Sequence, residues 1–257
     1  MILEVKDLSY QYRNHGRKIF HDVSFTLDKG EVLSILGVNG AGKSTLLNCI
    51  ANLYKPASGD IFLNGKNVKN MTMRDVAKVI GYVPQIHTPA YAYTVREFTV
   101  MGRTPYIGAF AKPSAEDYRI ADEALERMEI SHLKHKAYTE ISGGERQQVT
   151  IARALTQQPQ MIMLDEPTAH LDYGNQYRVV QLIKQLADEG YTLIMTTHNP
   201  EHVGILNGKV AILNRKGVLG VGQASETLNG GTLSELYGLN IKTVFDPDAG
   251  RNICVVC

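Results

Sequence analysis

The rhythm of apolar and polar positions changes along the chain, and each change marks a stretch of different structure. Residues 1–36 alternate, so "ILEVKDLSYQY", "IFHDVSFTL" and "GEVLSILG" read as three strands. In the third, "EVLSIL" is short, mostly apolar and ends at Gly37, as a buried parallel strand would. "KSTLLNCIANL" then takes helical spacing. "SGDIFLNGKNV" predicts a hairpin about Asn64 and Gly65, and "VAKVIGYVPQ" a further strand ending near Pro84. From Thr94 to Gln158 the pattern becomes helical, through "TVREFTVMGR", "SAEDYRIADEALERMEI" and "GERQQVTIARALTQQ", the second opening on the start signal Ser114-Ala115-Glu116-Asp117. The chain returns to strand in "QMIMLDEP", helix in "GNQYRVVQLIKQLADEG" and strand in "YTLIMTTH", then paired strands in "VAILNRKGVLGVG". Strands alternating with helices predict a parallel sheet covered on both faces. The last 35 or so residues predict a small appended helix and strand.

Bulk properties narrow the function classes. The 257 residues hold ample material for a buried core, and 27 basic side chains nearly balance 26 acidic ones. A net charge of +1 gives no reason to expect a nucleic-acid partner. No run approaches a membrane span, the N-terminus lacks the apolar core of a signal peptide, and three cysteines make no disulfide framework. A reducing, cytoplasmic compartment is expected. Cys254 and Cys257 in "CVVC" have the spacing of half a zinc site or a redox pair. With no histidine or second pair nearby, two apolar-context cysteines at a strand-like end are the preferred reading.

Two glycine-bearing stretches carry the chemistry. "GVNGAGKST", from Gly37 to Thr45, fits G-x-x-x-x-G-K-[ST] between a strand and a helix. Gly37, Asn39, Gly40, Ala41 and Gly42 are expected to wrap backbone N–H groups around phosphate oxygens. Lys43 supplies a point charge for the β- and γ-phosphates, Ser44 a hydroxyl for magnesium, and Thr45 contact to the α-phosphate. The apolar run "MIML" delivers Asp165 and Glu166 to a strand end, where open α/β sheets bind ligands. Asp165 suits the magnesium shell, and Glu166 suits polarising a water for attack. Gln85 reaches magnesium or that water, and His198 the γ-phosphate. The second stretch, "ISGGERQQ" from Ile141 to Gln148, opens a helix with Ser142, Gly143 and Gly144, a second phosphate-binding pattern in the same chain.

The set "GVNGAGKST", "YVPQ", "ISGGERQ", "MIMLDEPTAHLD" and "TTH", in that order, resembles the ATP-binding subunits of ABC transporters over residues 1 to about 220. Ile141 stands where leucine is usual and Glu145 where glutamine is common; neither change removes a glycine or the serine. The resemblance implies an α/β fold. It has a P-loop ATPase core with a mostly parallel sheet, an N-terminal antiparallel β-subdomain and a helical subdomain inserted at about 86–158. A small extension at 221–257 follows the ATPase domain.

It also implies a head-to-tail homodimer with ATP and Mg2+ between the phosphate loop of one copy and Ser142, Gly143 and Gly144 of the other. Asp172 would face the partner's phosphate loop. Tyr12 would stack on adenine, with Tyr10 the second choice. Residues after Gln85, "IHTPAYAYTVREFTVMGRTPY", would meet two polytopic permease subunits at the cytoplasmic face of the membrane, served indirectly by an external substrate-binding protein. That segment is similar to importers of metal chelates such as ferric siderophore, haem or cobalamin, and also to the molybdate or tungstate branch. An exporter ATPase, or a soluble ABC protein acting on ribosomes or DNA repair, fits less well: the chain has one cassette and no long heptad run.

Overall fold

The computed structural model describes residues 1–12, 18–85, 91–108, 110–214 and 216–257. An antiparallel sheet is formed by β1 (Leu3–Gln11), β2 (Lys18–Leu27), β4 (Ser58–Leu63) and β5 (Lys66–Asn67), in the order β2-β1-β4-β5. The β4–β5 hairpin closes over Asn64 and Gly65, both at positive φ, as the Asn-Gly pair predicts. Leu3, Val5 and Leu8 of β1 and Leu46, Leu47 and Ile50 of α1 (Lys43–Ile50) share one apolar core.

The larger sheet has the order β10-β9-β3-β8-β7-β6, built from β3 (Val32–Leu36), β6 (Ile80–Val83), β7 (Met161–Leu164), β8 (Thr192–Thr197), β9 (Lys209–Leu213) and β10 (Leu219–Gln223). Its pairs are parallel except β9–β10. Every residue of β3, β7 and β8 is buried. In β7, Met161 and Met163 enter the core shared with α1, while Ile162 and Leu164 enter the core on the opposite face. Alternation with period two therefore feeds two cores from one apolar run, which is why the strand reads as continuously apolar.

Because β3, β6, β7 and β8 run parallel, their C-terminal ends share one edge. That edge carries Gly37, Gln85, Asp165, Glu166 and His198.

Between β6 and β7 the chain is helical, with α3 (Val95–Val100), α4 (Ala115–Arg127) and α5 (Gly143–Thr156). Each starts with a capping box: Thr94 with Glu97, Ser114 with Asp117, and Ser142 with Glu145. Phe98 and Tyr138 stack with ring centroids 4.2 Å apart inside the core these helices share with the sheet. Residues 86–90, where the sequence-expected helical stretch begins, lie outside the described residues.

The remaining elements are α2 (Met73–Val79), α6 (Tyr173–Asp188), α7 (Pro200–Leu206), α8 (Ala224–Thr227), α9 (Gly230–Tyr237), β11 (Ile241–Asp246) and β12 (Arg251–Val256). Two differ from expectation. The stretch "VAKVIGYVPQ" is not strand throughout: Thr72 and Asp75 cap a helix that runs to Val79 before β6 begins. The tail forms two helices and a hairpin rather than one helix and one strand, because β11 satisfies much of its backbone by pairing with β12, from Ile241↔Val256 to Asp246↔Arg251. The expected boundary at 220 falls inside β10, whose five residues all pair with β9.

Candidate functional site

The phosphate loop is shaped by glycine where no other residue fits. Gly40 and Gly42 hold φ of 78° and 104°, and a Cβ on Gly42 would stand 2.5 Å from Ile19 Cγ2. A Cβ on Gly37 would stand 2.6 Å from the Leu213 carbonyl oxygen. At the start of α1, Gly42 supplies no side-chain cap, so the first-turn N–H groups keep their capacity for an anion.

Lys43, the first residue of α1, is buried at 4% exposure. Its ammonium donates to the carbonyls of Gly37 (2.8 Å) and Val38 (3.2 Å) and lies 2.9 Å from Glu166 Oε1. The other Glu166 oxygen lies 3.0 Å from His198 Nδ1. A carboxylate only accepts, so Nδ1 carries the proton in this pairing. The His198 hydrogen bond and the Lys43 charge outweigh burial and hold the Glu166 carboxyl down at about 2. The Glu166 backbone is at φ 44°, left-handed without being glycine, and its N–H donates to Thr196 Oγ1 at 2.8 Å.

Asp165, one residue earlier, faces the other way. Its Oδ1 accepts from Ser44 Oγ (3.0 Å) and Thr196 Oγ1 (2.7 Å), and its Oδ2 from the Tyr82 hydroxyl (3.3 Å). Thr196, Tyr82 and Asn48, which also accepts from Tyr82, were not singled out by the sequence reading. The available signal was a hydroxyl inside an apolar strand run: "LIMTT" for Thr196 and "IGYV" for Tyr82. A buried hydroxyl must find a partner.

A cavity of about 370 Å³ opens over these groups, lined by Tyr12, Asn39, Gly40, Gly42, Lys43, Ser44, Thr45, Gln85 and Glu166, with Ile19 at its wall. Tyr12 OH lies 3.3 Å from Thr45 Oγ1, whereas Tyr10 stacks on Phe20 and Tyr54 and does not line the cavity. Gln85 reaches the cavity from the end of β6. Ala41, buried in the same loop, points into the core.

Ser142, Gly143, Gly144 and Asp172 are not brought to this cavity. The Ser142 hydroxyl caps α5 by accepting from Glu145 N, and Asp172 caps α6 by accepting from Asn175 N. The two caps adjoin: a Cβ on Gly144 would stand 2.9 Å from Asn175 Oδ1.

Among the described residues no cluster of three or more metal-ligating side chains occurs, and no helix is long and apolar enough to cross a membrane. Cys254 and Cys257 lie three residues apart on extended chain, about 10 Å between Cα atoms and on opposite faces, beyond the roughly 7 Å reach of a disulfide. Burial also pushes the Cys254 thiol up to about 11, so it stays protonated.

The geometry has counterparts among known proteins. The family model for the ABC transporter matches residues 20–169. The molybdate import ATP-binding protein of Haemophilus influenzae is 36% identical over 238 residues, covering 92% of this chain and 88% of that protein. The iron(3+)-hydroxamate import ATP-binding protein of Bacillus subtilis is 31% identical over 240 residues, covering 93% and 89%. Among solved structures, a metal-chelate type ABC transporter in an inward-facing conformation superposes over 100% of this chain and 97% of its own, with 33% identity and a TM-score of 0.88.

Proposed function

The chain belongs to the ABC transporter family as an ATP-binding subunit, and from that premise we propose that it energises an importer for a metal chelate such as ferric siderophore, haem or cobalamin. One observation carries the ATPase half of this reading: Lys43, Ser44, Gln85 and Glu166 line a single cavity. The importer half is supported by likeness to the metal-chelate type structure and the iron-hydroxamate relative. The molybdate relative favours a second reading, a molybdate or tungstate importer of the same group.

ATP is the substrate. Tyr12 stacks on the adenine, and Lys43 with the N–H groups of Gly37 through Thr45 cradles the phosphates. The donor set fits a magnesium ion: Ser44 Oγ and Asp165 Oδ1 meet at 3.0 Å and Gln85 faces the same cavity, all hard oxygens. Ser44, Asp165 and Gln85 would hold it, and it would neutralise phosphate charge. Phosphate oxygens compete with Glu166 for Lys43. The released carboxylate orients or deprotonates the water that attacks the γ-phosphorus in line, and His198 contacts the γ-phosphate.

The second glycine stretch is explained by a second copy. Ser142, Gly143 and Gly144 lie away from their own phosphate loop, so they serve the loop of the partner in a head-to-tail dimer, with Asp172 beside them. The γ-phosphate is then part of the interface, and hydrolysis removes part of what holds the dimer closed. The chain reaches the membrane as a peripheral subunit on two polytopic permease subunits, fed by an external binding protein. Residues 1–220 act as the ATPase domain, with 86–158 as the helical subdomain facing the permease.

Purification of the tagged chain from its own membranes in mild detergent tests this. Recovery with a polytopic subunit and an external binding protein supports the importer, and metal analysis of that binding protein separates iron or cobalt from molybdenum or tungsten. Recovery with ribosomes only, or as a lone dimer, overturns it.

A further inference from the structure

The C-terminal extension grips the His198 loop from two sides. Tyr237, the last residue of α9, donates its hydroxyl to the backbone carbonyl of His198 at 2.7 Å. Three residues beyond His198, the Glu201 carboxylate accepts from Cys254 N of β12 at 2.8 Å and pairs with Arg251. Both contacts come from residues after 223, and they bracket the short turn that joins β8 to α7.

The grip is rigid at its base. Leu233 and Leu236 of α9 are buried with Val203 of α7 and Val210 and Ile212 of β9 in one apolar cluster. Gly238, at φ 69°, ends α9 just after Tyr237 and fixes where the ring emerges. Burial pushes the phenol's pKa up, so the hydroxyl is a hydrogen-bond donor throughout the neutral range.

The turn is also tied from within, Asn199 N donating to Thr197 Oγ1 at 3.0 Å, but the imidazole it carries is little packed. The His198 side chain is 49% exposed, so packing does not set its place, yet its Nδ1 lies 3.0 Å from Glu166 Oε2. A side chain so little packed takes its place from its backbone and this one hydrogen bond, so it moves when that backbone moves, and small displacements at reacting groups carry large rate penalties.

We propose that Tyr237 is a positioning residue for ATP hydrolysis: its hydroxyl anchors the His198 carbonyl and thereby sets the imidazole against Glu166, giving the C-terminal extension control over turnover. This rests on the roles given above to His198 and Glu166. The alternative is a helix-end aromatic that only packs against the core, in which case its hydroxyl is dispensable.

The test uses the full chain as Tyr237→Phe, His198→Ala and the double variant, with ATPase kcat and KM measured for each. One lost hydroxyl–carbonyl bond is expected to lower kcat about fivefold, with KM for ATP within about twofold. In the His198→Ala background the same change is expected to have almost no effect. An unchanged kcat in Tyr237→Phe, a change confined to KM, or losses that multiply in the double variant would overturn the proposal. If the unaltered chain hydrolyses no ATP, the ATPase reading itself fails, and the imidazole resonances of His198 then decide. Loss of the Nδ1–H···carboxylate signature in Tyr237→Phe supports the anchor, and identical spectra overturn it.

Discussion

Lys43 Nζ stands 2.9 Å from Glu166 Oε1, with both side chains at or below 10% exposure. The cation of the phosphate loop and the carboxylate at the end of β7 thus satisfy each other across the candidate site. Two buried charges so paired are costly to separate singly, because the one left behind loses its partner without regaining water.

Glu166→Gln is expected to keep ATP binding while kcat falls at least about 100-fold, the range that loss of a general base costs. The variant is expected to collect as an ATP-bound dimer on gel filtration. Near-normal turnover would remove Glu166 from its role.

Lys43→Ala is expected to raise the Kd for ATP at least about tenfold, since a charge-assisted contact to phosphate is lost. It is also expected to cost about 1–3 kcal/mol of stability by removing the buried cation at Glu166 Oε1, with His198 left as the carboxylate's partner. Adding Glu166→Gln to Lys43→Ala should recover part of that loss in urea unfolding. Equal midpoints for the single and double variants would show that the pair is not coupled.

His202 gives the chain a pH dependence. Its imidazole is 6% exposed, lies 3.3 Å from Thr197 Oγ1 and 3.5 Å from Thr168 Oγ1, and burial lowers its pKa to about 4. The unfolded chain protonates this group near its ordinary value of 6.5 while the folded chain keeps it neutral. Stability is therefore fully present above about 6.5 and declines as pH falls toward about 4, by up to about 3 kcal/mol. Glu166, held at about 2, adds a second loss below its ordinary value of 4.5. Unfolding of His202→Asn followed from pH 7.5 to 5 should show a flatter curve than the unaltered chain; parallel curves would refute the assignment.

Mixed dimers test the composite site. Ser142→Ala removes an N-cap, which by itself costs about 1 kcal/mol. With Lys43→Ala on one copy and Ser142→Ala on the other, both lesions fall in the same composite site and the second site stays whole, so turnover is expected to persist. With both changes on one copy, each site is damaged and turnover is expected to vanish. The reverse pattern would mean that each copy hydrolyses ATP alone.

Much of the site was legible because its parts are local. A phosphate loop is strand end, glycine turn and helix start in immediate succession, and its chemistry follows from that succession. Gly37 to Thr45, Asp165 and Glu166 carried their signal in adjacent letters, as did the Asn64-Gly65 hairpin, while Gln85 and His198 drew theirs from the pattern of strand ends they belong to. The tail was read less well, because "IKTVFD" and "RNICVV" are short strands whose pairing depends on each other and not on their own period.

The sequence by itself determined the class of fold, the phosphate chemistry and the residues at the strand ends, since backbone periodicity and turn geometry act over a few neighbouring positions. Only the tertiary structure decided which hydroxyls hold Asp165 and that Lys43 rests on Glu166. It alone tied Tyr237 to the His198 carbonyl 39 positions away. Those relations are set by how elements pack and in which direction each side chain leaves its strand or helix. Spacing along one chain does not encode a distance between chain segments folded together.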